Sequence, residues 1–99
     1  MITVTRTMNT TLDQVVGAVS YLQECAAYIK SKTGVENRIE MPVGGVAYRI
    51  RMVAQYESLA AYERVVAQLM SDPKYFELGA KASQFLTPGS AFDEFWAAV

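Results

Sequence analysis

The sequence has no histidine, a single cysteine and no long hydrophobic run. Without histidine, the chain lacks the commonest general base and metal ligand of proteins. Cys25 has no second thiol with which to form an internal disulfide or a C-x-x-C site, which is typical of a reducing compartment. No apolar stretch approaches the ~20 residues of a membrane-spanning helix, and the first residues show no secretory signal pattern. We therefore expect a cytoplasmic protein without a metal, a cofactor or a membrane partner.

Net charge is also small. Nine Lys and Arg residues oppose ten Asp and Glu residues, which gives a formal charge of -1. Such a chain has no electrostatic reason to attract a phosphate backbone, so a nucleic acid partner is not expected. The apolar fraction of 52% lies slightly above the ordinary range for globular proteins. In a domain of 99 residues, this excess suggests that some apolar surface is buried against a second chain.

The first third of the chain predicts a strand followed by a helix. Residues 2–8 alternate apolar and threonine side chains, a period of two that is typical of a strand, and Arg6 falls on the apolar side. Thr10–Asp13 fits a capping box, after which apolar residues recur at three- and four-residue steps as far as Ile29. Gly34 predicts the left-handed cap that ends this helix of about five turns.

The stretch 36–56 predicts a β-hairpin. Two alternating runs flank Gly44-Gly45, and a two-residue Gly-Gly connection favours a tight turn that fixes the register. That register pairs Glu40 with Arg49 and Arg38 with Arg51 on one side of the sheet, and Ile39 with Ile50 and Met41 with Tyr48 on the side facing the helices. Pro42 has no amide N–H and therefore predicts that the first strand of the pair lies at a sheet edge.

The remaining residues predict two helices and a closing strand. Ser58 and Asp72 are typical N-cap residues, and Pro73 suits the first position of the second helix. The tail 91–99 is predicted as a strand because the first strand otherwise lacks a second neighbour. Residues 1–99 then form one α+β domain of order β-α-β-β-α-α-β, with a four-stranded antiparallel sheet of order 4-1-3-2 and the helices on one face. Two interleaved right-handed β-α-β units of this kind form the ferredoxin-like fold.

Three arginines give the strongest signal for a ligand. Arg38 and Arg51 are predicted to lie directly opposite each other, and like charges in that position destabilise a sheet unless they are neutralised. Glu40, Glu36 or a carboxylate of a second subunit is one source of neutralisation. Alternatively, Arg38, Arg49 and Arg51 bind a small anion, because the planar guanidinium suits a carboxylate or a phosphate.

Other sources of chemistry are weaker. Asp93 and Glu94 are adjacent, so on a strand they point to opposite faces and make poor acid–base partners. Cys25 has no base to activate it and is expected to pack in the interior. No Asp or Glu spacing resembles a calcium loop. The exposed sheet face offers threonine and arginine where RNA-recognition modules use aromatic residues, so RNA is not expected.

Aromatic residues either fill the core or line an apolar pocket between helices and sheet, and core packing is the expected role for most of them. They are Tyr48, Tyr62, Tyr75, Phe76, Phe85, Phe92, Phe95 and Trp96.

Between Leu59 and Trp96, a helix, Asp72-Pro73-Lys74-Tyr75, a second helix, Pro88-Gly89-Ser90 and a closing strand follow one another. This succession resembles the C-terminal half of small dimeric α+β barrel proteins, among them the NIPSNAP-like and antibiotic-biosynthesis-monooxygenase-like groups. With the first strand and the Gly-Gly hairpin, the resemblance covers essentially the whole chain. It implies a homodimer in which two sheets pack face to face into a barrel, with the helices outside.

The resemblance also bears on activity. Haem-degrading members of the superfamily ligate iron with histidine, which this chain lacks. The cofactor-independent oxygenases are associated with Asn, Trp and a His or Arg. Asn9 and Arg49 or Arg51 match these residue types, but Trp96 lies near the C-terminus, so no catalytic set is carried over. The residues expected to bind a ligand are Arg38, Arg49, Arg51, Glu40 and Asn9.

Together these observations predict a homodimeric α+β barrel protein that binds a small anionic or aromatic metabolite and has no recognisable catalytic motif. The alternative is a cofactor-independent monooxygenase or isomerase that acts on an aromatic, polyketide-like substrate. Only the likeness in fold supports that alternative, and one fold hosts many functions.

Overall fold

Four strands and three helices follow one another in the predicted order. The computed structural model describes all 99 residues. Its elements are β1 (Ile2–Asn9), α1 (Val15–Thr33), β2 (Arg38–Glu40), β3 (Arg49–Tyr56), α2 (Leu59–Met70), α3 (Pro73–Gly79), a 3-10 turn (Ala82–Gln84) and β4 (Phe92–Ala97). The sheet is antiparallel, with strand order β2-β3-β1-β4. This confirms the ferredoxin-like α+β fold, the fourth strand and the edge position of β2. None of the three helices has both the length and the hydropathy that crossing a membrane requires.

The core lies between the sheet and α1. Ile50 of β3 is fully buried, at the centre of a cluster with Met8, Ala18, Tyr21, Leu22 and Leu78. The Tyr21 hydroxyl donates a hydrogen bond to the Leu78 carbonyl at 2.7 Å, so the ring is buried without leaving its hydroxyl unpaired. Only 13 of the 99 residues are buried, so much of the apolar content of the sequence stays at the surface of the single chain.

Three predicted helix ends are confirmed. The Ser58 side chain accepts a hydrogen bond from the backbone N–H three residues later, at the start of α2. The Asp72 carboxylate accepts one from the backbone N–H of Lys74, in the first turn of α3, at 3.0 Å. Gly34 ends α1 in the left-handed conformation, with φ 78°.

The predicted capping box is wrong. The α1 helix begins at Val15, and no side-chain hydrogen bond caps its first turn. The hydroxyl of Thr10 is buried and donates to the Phe85 carbonyl at 2.6 Å, while Thr11 donates to Asp13. The side chain of Thr10, which the local pattern assigned to the helix end, is therefore hydrogen-bonded to a distant segment instead.

The predicted two-residue hairpin is also wrong. The β2 strand has only three residues, 41–48 form a loop, and Glu40 lies opposite Arg51. The register differs from the predicted one by two residues, and the Tyr48 carbonyl accepts a hydrogen bond from the backbone N–H of Thr10 at 2.8 Å. Backbone pairing at this end of β3 is therefore made with the end of β1 and not with the residues before Gly44.

The sheet faces are nevertheless as predicted. Side chains alternate with a period of two, so a shift of two residues leaves each one on its original face. Ile39 packs against the core and Ile50 belongs to it, whereas Arg49 and Arg51 are exposed on the opposite face. Arg38 lies opposite Val53, so the predicted pairing of two arginines does not occur.

Candidate functional site

The sheet face that points away from the helices, called here the open face, carries the ligand site predicted from the sequence. Its residues are Arg38 and Glu40 of β2; Arg49, Arg51, Val53 and Gln55 of β3; Thr3, Thr5, Thr7 and Asn9 of β1; and Phe92, Glu94 and Trp96 of β4. A groove of about 420 Å³ crosses this face. Glu40, Arg49 and Arg51 line the groove, whereas Arg38 and Asn9 lie outside it.

Glu40 neutralises two of the three arginines of this predicted site. Its carboxylate accepts hydrogen bonds from Nε of Arg51 at 2.7 Å and from Nε of Arg38 at 3.3 Å. The hydrogen bond from Arg51 is the main reason why the pKa of Glu40 is lowered. Arg49 takes part in none of the ion pairs within the chain. The neutralisation of the arginines by a carboxylate, which was considered from the sequence, is therefore present for Arg38 and Arg51. Arg49 stays unpaired.

A second concave site lies on the other side of the sheet, below α2. This helix–sheet cavity has a volume of about 150 Å³. Eleven of its fourteen lining residues are hydrophobic: Val4, Met52, Ala54 and Tyr56 from the sheet, and Ile29, Tyr62, Val65, Val66, Leu69, Met70 and Tyr75 from the helices. Pockets for drug-sized ligands have volumes of roughly 300 to 1,000 Å³. This cavity is smaller, so it suits only a compact molecule.

One ion pair is the main polar feature of the helix–sheet cavity. Arg6 points to the helix side of β1 and lies directly opposite Asp93 of β4. Its Nε and Nη2 atoms donate to the two carboxylate oxygens of Asp93 at 2.7 and 2.8 Å. This hydrogen bonding raises the pKa of Arg6, which therefore stays charged. The alternation of β1 predicted the side of the sheet on which Arg6 lies. Its partner Asp93 could not be predicted in this way, because it is 87 residues away and is placed by the β1–β4 register.

Three tyrosines add hydroxyl groups to the same cavity. Burial raises the pKa of Tyr56 and of Tyr75, so both are neutral at physiological pH. The tyrosine hydroxyls that hydrogen-bond within the chain belong to Tyr21 and Tyr28. The hydroxyls of Tyr56, Tyr62 and Tyr75 are left for a ligand or for water.

The eight aromatic residues considered from the sequence divide between several environments. Two of them, Tyr62 and Tyr75, line the helix–sheet cavity. Phe85 packs against the core, as expected. The other five are exposed in the single chain: Tyr48, Phe76, Phe92, Phe95 and Trp96. Core packing is thus the wrong assignment for most of this set: Phe92, Phe95 and Trp96 lie on β4, an edge strand whose side chains have few neighbours, while Tyr48 lies in a loop and Phe76 on α3.

The residues that match the oxygenases by type in the sequence do not meet in the helix–sheet cavity, although Asn37 and Arg6 do line it. Asn9, Arg49 and Trp96 all lie on the open face, on the opposite side of the sheet. Cys25 is half-buried, and burial raises the pKa of its thiol, so the thiol is protonated and a poor nucleophile. No three Cys, Asp or Glu side chains converge to form a metal site. The cavity has no tryptophan, so the residue set associated with the oxygenases is incomplete there.

Solved structures with the same fold include two NIPSNAP proteins. A NIPSNAP domain protein from Burkholderia xenovorans has a TM-score of 0.84 and 15% identity, covering 100% of this chain and 95% of that one. A NIPSNAP family protein of unknown function from Agrobacterium tumefaciens has a TM-score of 0.81 and 18% identity, covering 100% of this chain and 88% of that one. These likenesses confirm, at the level of fold, the resemblance inferred from the sequence.

An oxygenase shares the fold at a lower score. A variant of SnoaB, a cofactor-independent oxygenase from Streptomyces nogalater, has a TM-score of 0.71 and 12% identity, covering 98% of this chain and 91% of that one. No family model and no curated protein matches the sequence. Identities this low establish the architecture, while function has to be argued from the site.

Proposed function

We propose that this protein binds a small, compact aromatic molecule in the helix–sheet cavity. The observation that carries the proposal is the lining of that cavity, where eleven hydrophobic side chains surround one ion pair and the amide of Asn37. Binding sites for small molecules typically combine an apolar lining with a few polar groups that fix the orientation of the ligand. The raised pKa values of Arg6, Tyr56 and Tyr75 in one cavity are a further sign of a functional site.

The volume of the cavity supports a ligand with one ring. Apolar cavities of roughly 150 Å³ in other proteins accept benzene. The helix–sheet cavity has about this volume. A polycyclic substrate would require α2 to move away from the sheet, so we favour a monocyclic ligand.

We assign the open face to a second copy of the chain. Phe92 and Trp96 are 46% and 60% exposed there, and exposed aromatic side chains are typical of protein interfaces. Two of the arginines on this face are already paired with Glu40, which weakens the case for a free anion in the open-face groove. The helix–sheet cavity lies on the other side of the sheet and would stay accessible in such a dimer.

Titration of isotope-labelled protein with phenol, followed by amide chemical shifts, tests the proposed ligand site. We expect the changes to cluster on residues that line the cavity, such as Val4, Ala54 and Leu69. The variant Val66→Phe places a ring in the cavity and should abolish the response. Val16→Phe is the matched control, because Val16 is 82% exposed on α1 and its substitution should leave the titration unchanged.

Two outcomes would contradict the proposed site. One is a response confined to open-face residues such as Thr7 and Glu94, which would move the ligand to the other side of the sheet. The other is an equal response in wild type and in a folded Val66→Phe variant. The amide spectrum of each variant reports whether it is folded.

A further inference from the structure

The Arg6–Asp93 pair leaves one edge of the guanidinium free. Asp93 binds the edge formed by Nε and Nη2. A guanidinium carries five N–H groups, so three are left, two on Nη1 and one on Nη2. The Nη1 and Nη2 atoms together present two parallel N–H groups, a geometry that matches a carboxylate. The Arg6 side chain is 50% exposed, so this edge can be reached by a ligand.

No free carboxylate lines the cavity beside this edge. Tyr62, Tyr75 and Asn37 line the same cavity, and each of them can donate a hydrogen bond to a ligand. Asp93 is the only carboxylate among the lining residues, and Arg6 already engages both of its oxygens. A ligand group placed here therefore meets donors with no free carboxylate beside them.

We propose that the ligand is an acid: a single-ring aromatic carboxylate whose ring occupies the helix–sheet cavity and whose carboxylate binds the free edge of the Arg6 guanidinium. This inference rests on the function proposed above and names the chemical class of its ligand. Arg6 is then the residue that determines specificity, and Asp93 holds it in place.

The charges explain why a carboxylate is preferred to a neutral group. A carboxylate brings a negative charge and two acceptor oxygens, so it can engage both parallel N–H groups of the free edge, whereas a neutral amide has one acceptor oxygen. A neutral amide of the same shape would bring an N–H donor to a place that already has donors. Asp93 fixes the plane of the guanidinium by two hydrogen bonds, so less conformational freedom is lost when the carboxylate binds.

The test compares benzoate with benzamide, which share the ring but differ in charge. Calorimetric or NMR titration near neutral pH should show wild type binding benzoate at least about tenfold more tightly than benzamide. The double variant Arg6→Met/Asp93→Asn removes both charges and should lose this preference while still binding benzamide. Arg64→Met is the control, because Arg64 is an exposed arginine of α2 that does not line the cavity. It should keep the preference.

Arg6→Lys provides a second variant in case the double variant does not fold. It keeps the charge and the pairing with Asp93 but loses the planar fork, so the preference for benzoate should fall. A preference that survives unchanged in either folded variant overturns the proposal, as does equal binding of both probes by wild type. If neither probe binds to wild type, the small-molecule function itself fails, which is a distinguishable result.

Discussion

Gly17 of α1 packs against Phe85, a residue distant in sequence that leaves no room for a side chain at this position. A Cβ atom at Gly17 would lie 2.9 Å from a ring carbon of Phe85. That ring stacks on Tyr21, with centroids 5.2 Å apart and an angle of 19° between the planes. Tyr21 is buried and its hydroxyl is hydrogen-bonded, so Phe85 has little freedom to retreat. The glycine is required by close packing and not by its backbone angles.

The variant Gly17→Ala should therefore be destabilised. Alanine improves helix propensity by about 1 kcal/mol, but overpacking a filled site costs about 1 to 3 kcal/mol. We expect a net decrease in the free energy of unfolding, measured by urea denaturation. Gly79→Ala is the control, because nothing lies within 4 Å of the added Cβ. A Gly17→Ala variant more stable than wild type would show that Phe85 gives way freely.

At the scale of elements, one hydrogen bond joins α1 to the start of α3. The Tyr28 hydroxyl donates to one oxygen of Asp72 at 2.5 Å, and the other oxygen of Asp72 caps α3. The Tyr28 hydrogen bond is the main reason why the pKa of Asp72 is lowered. The same contact raises the pKa of Tyr28 to about 12. The pair therefore favours the state in which Asp72 is ionised and Tyr28 is protonated.

The contribution of this hydrogen bond to stability should depend on pH at both extremes. The pKa of Asp72 is lower in the folded state, so its contribution is complete above the ordinary value of 3.8 and is lost as pH falls through the lowered pKa. The pKa of Tyr28 is higher in the folded state, so its contribution is complete below 10.0 and is lost as pH rises through about 12.

Urea denaturation of wild type and Tyr28→Phe across this pH range checks the expectation. Wild type should be more stable near neutral pH, and the difference should shrink at both extremes. Tyr48→Phe serves as the control, since the Tyr48 side chain is 40% exposed and its hydroxyl makes no hydrogen bond within the chain. A difference that stays constant with pH would mean that the hydroxyl acts through packing alone.

At the scale of the whole molecule, charge is unevenly distributed over the open face. The half formed by β2 and β3 carries three arginines and one glutamate, whereas the half formed by β1 and β4 carries Glu94 as its only charged residue. A two-fold axis that runs along the strands would place the β4 half of one copy against the β2–β3 half of the other. Glu94 would then meet the cationic half of its partner, where Arg38 of β2 lies at the same level along the strands.

This arrangement predicts a dimer that depends on Glu94. Light scattering after size exclusion at micromolar concentration should give about twice the chain mass of 11.0 kDa. Glu94→Arg should shift the mass toward the monomer, because it sets like charges against each other across the interface. The double variant Glu94→Arg/Arg38→Glu should recover the dimer.

Glu63→Arg, on the exposed side of α2, is the control for the same change of charge. It should leave the dimer intact. A monomeric mass for wild type would refute the assembly. If Glu94→Arg and Glu63→Arg dissociate the dimer to the same extent, Glu94 has no specific role in the interface.

Periodicity and capping residues in the sequence determined which side of the sheet many residues occupy and where two of the helices begin. The alternation in β3 correctly placed Ile50 toward the helices and Arg51 away from them, because the two faces of a strand differ in their contact with water. Ser58 and Asp72 identified two helix starts, because each satisfies a backbone N–H in its own first turn. The fold followed from these local signals together with the handedness of strand–helix–strand units.

Only the tertiary structure decided the register and the site. A shift of two residues keeps every side chain on its face, so the pattern of β2 and β3 could not exclude the observed pairing of Glu40 with Arg51. Arg6 meets Asp93 only because β1 and β4 are neighbours in one register, and no local pattern records a contact between residues so far apart along the chain. The need to bury apolar side chains leaves a periodic pattern along the chain, which can be recognised in the sequence. The partner of a charged side chain is fixed only when distant segments come together.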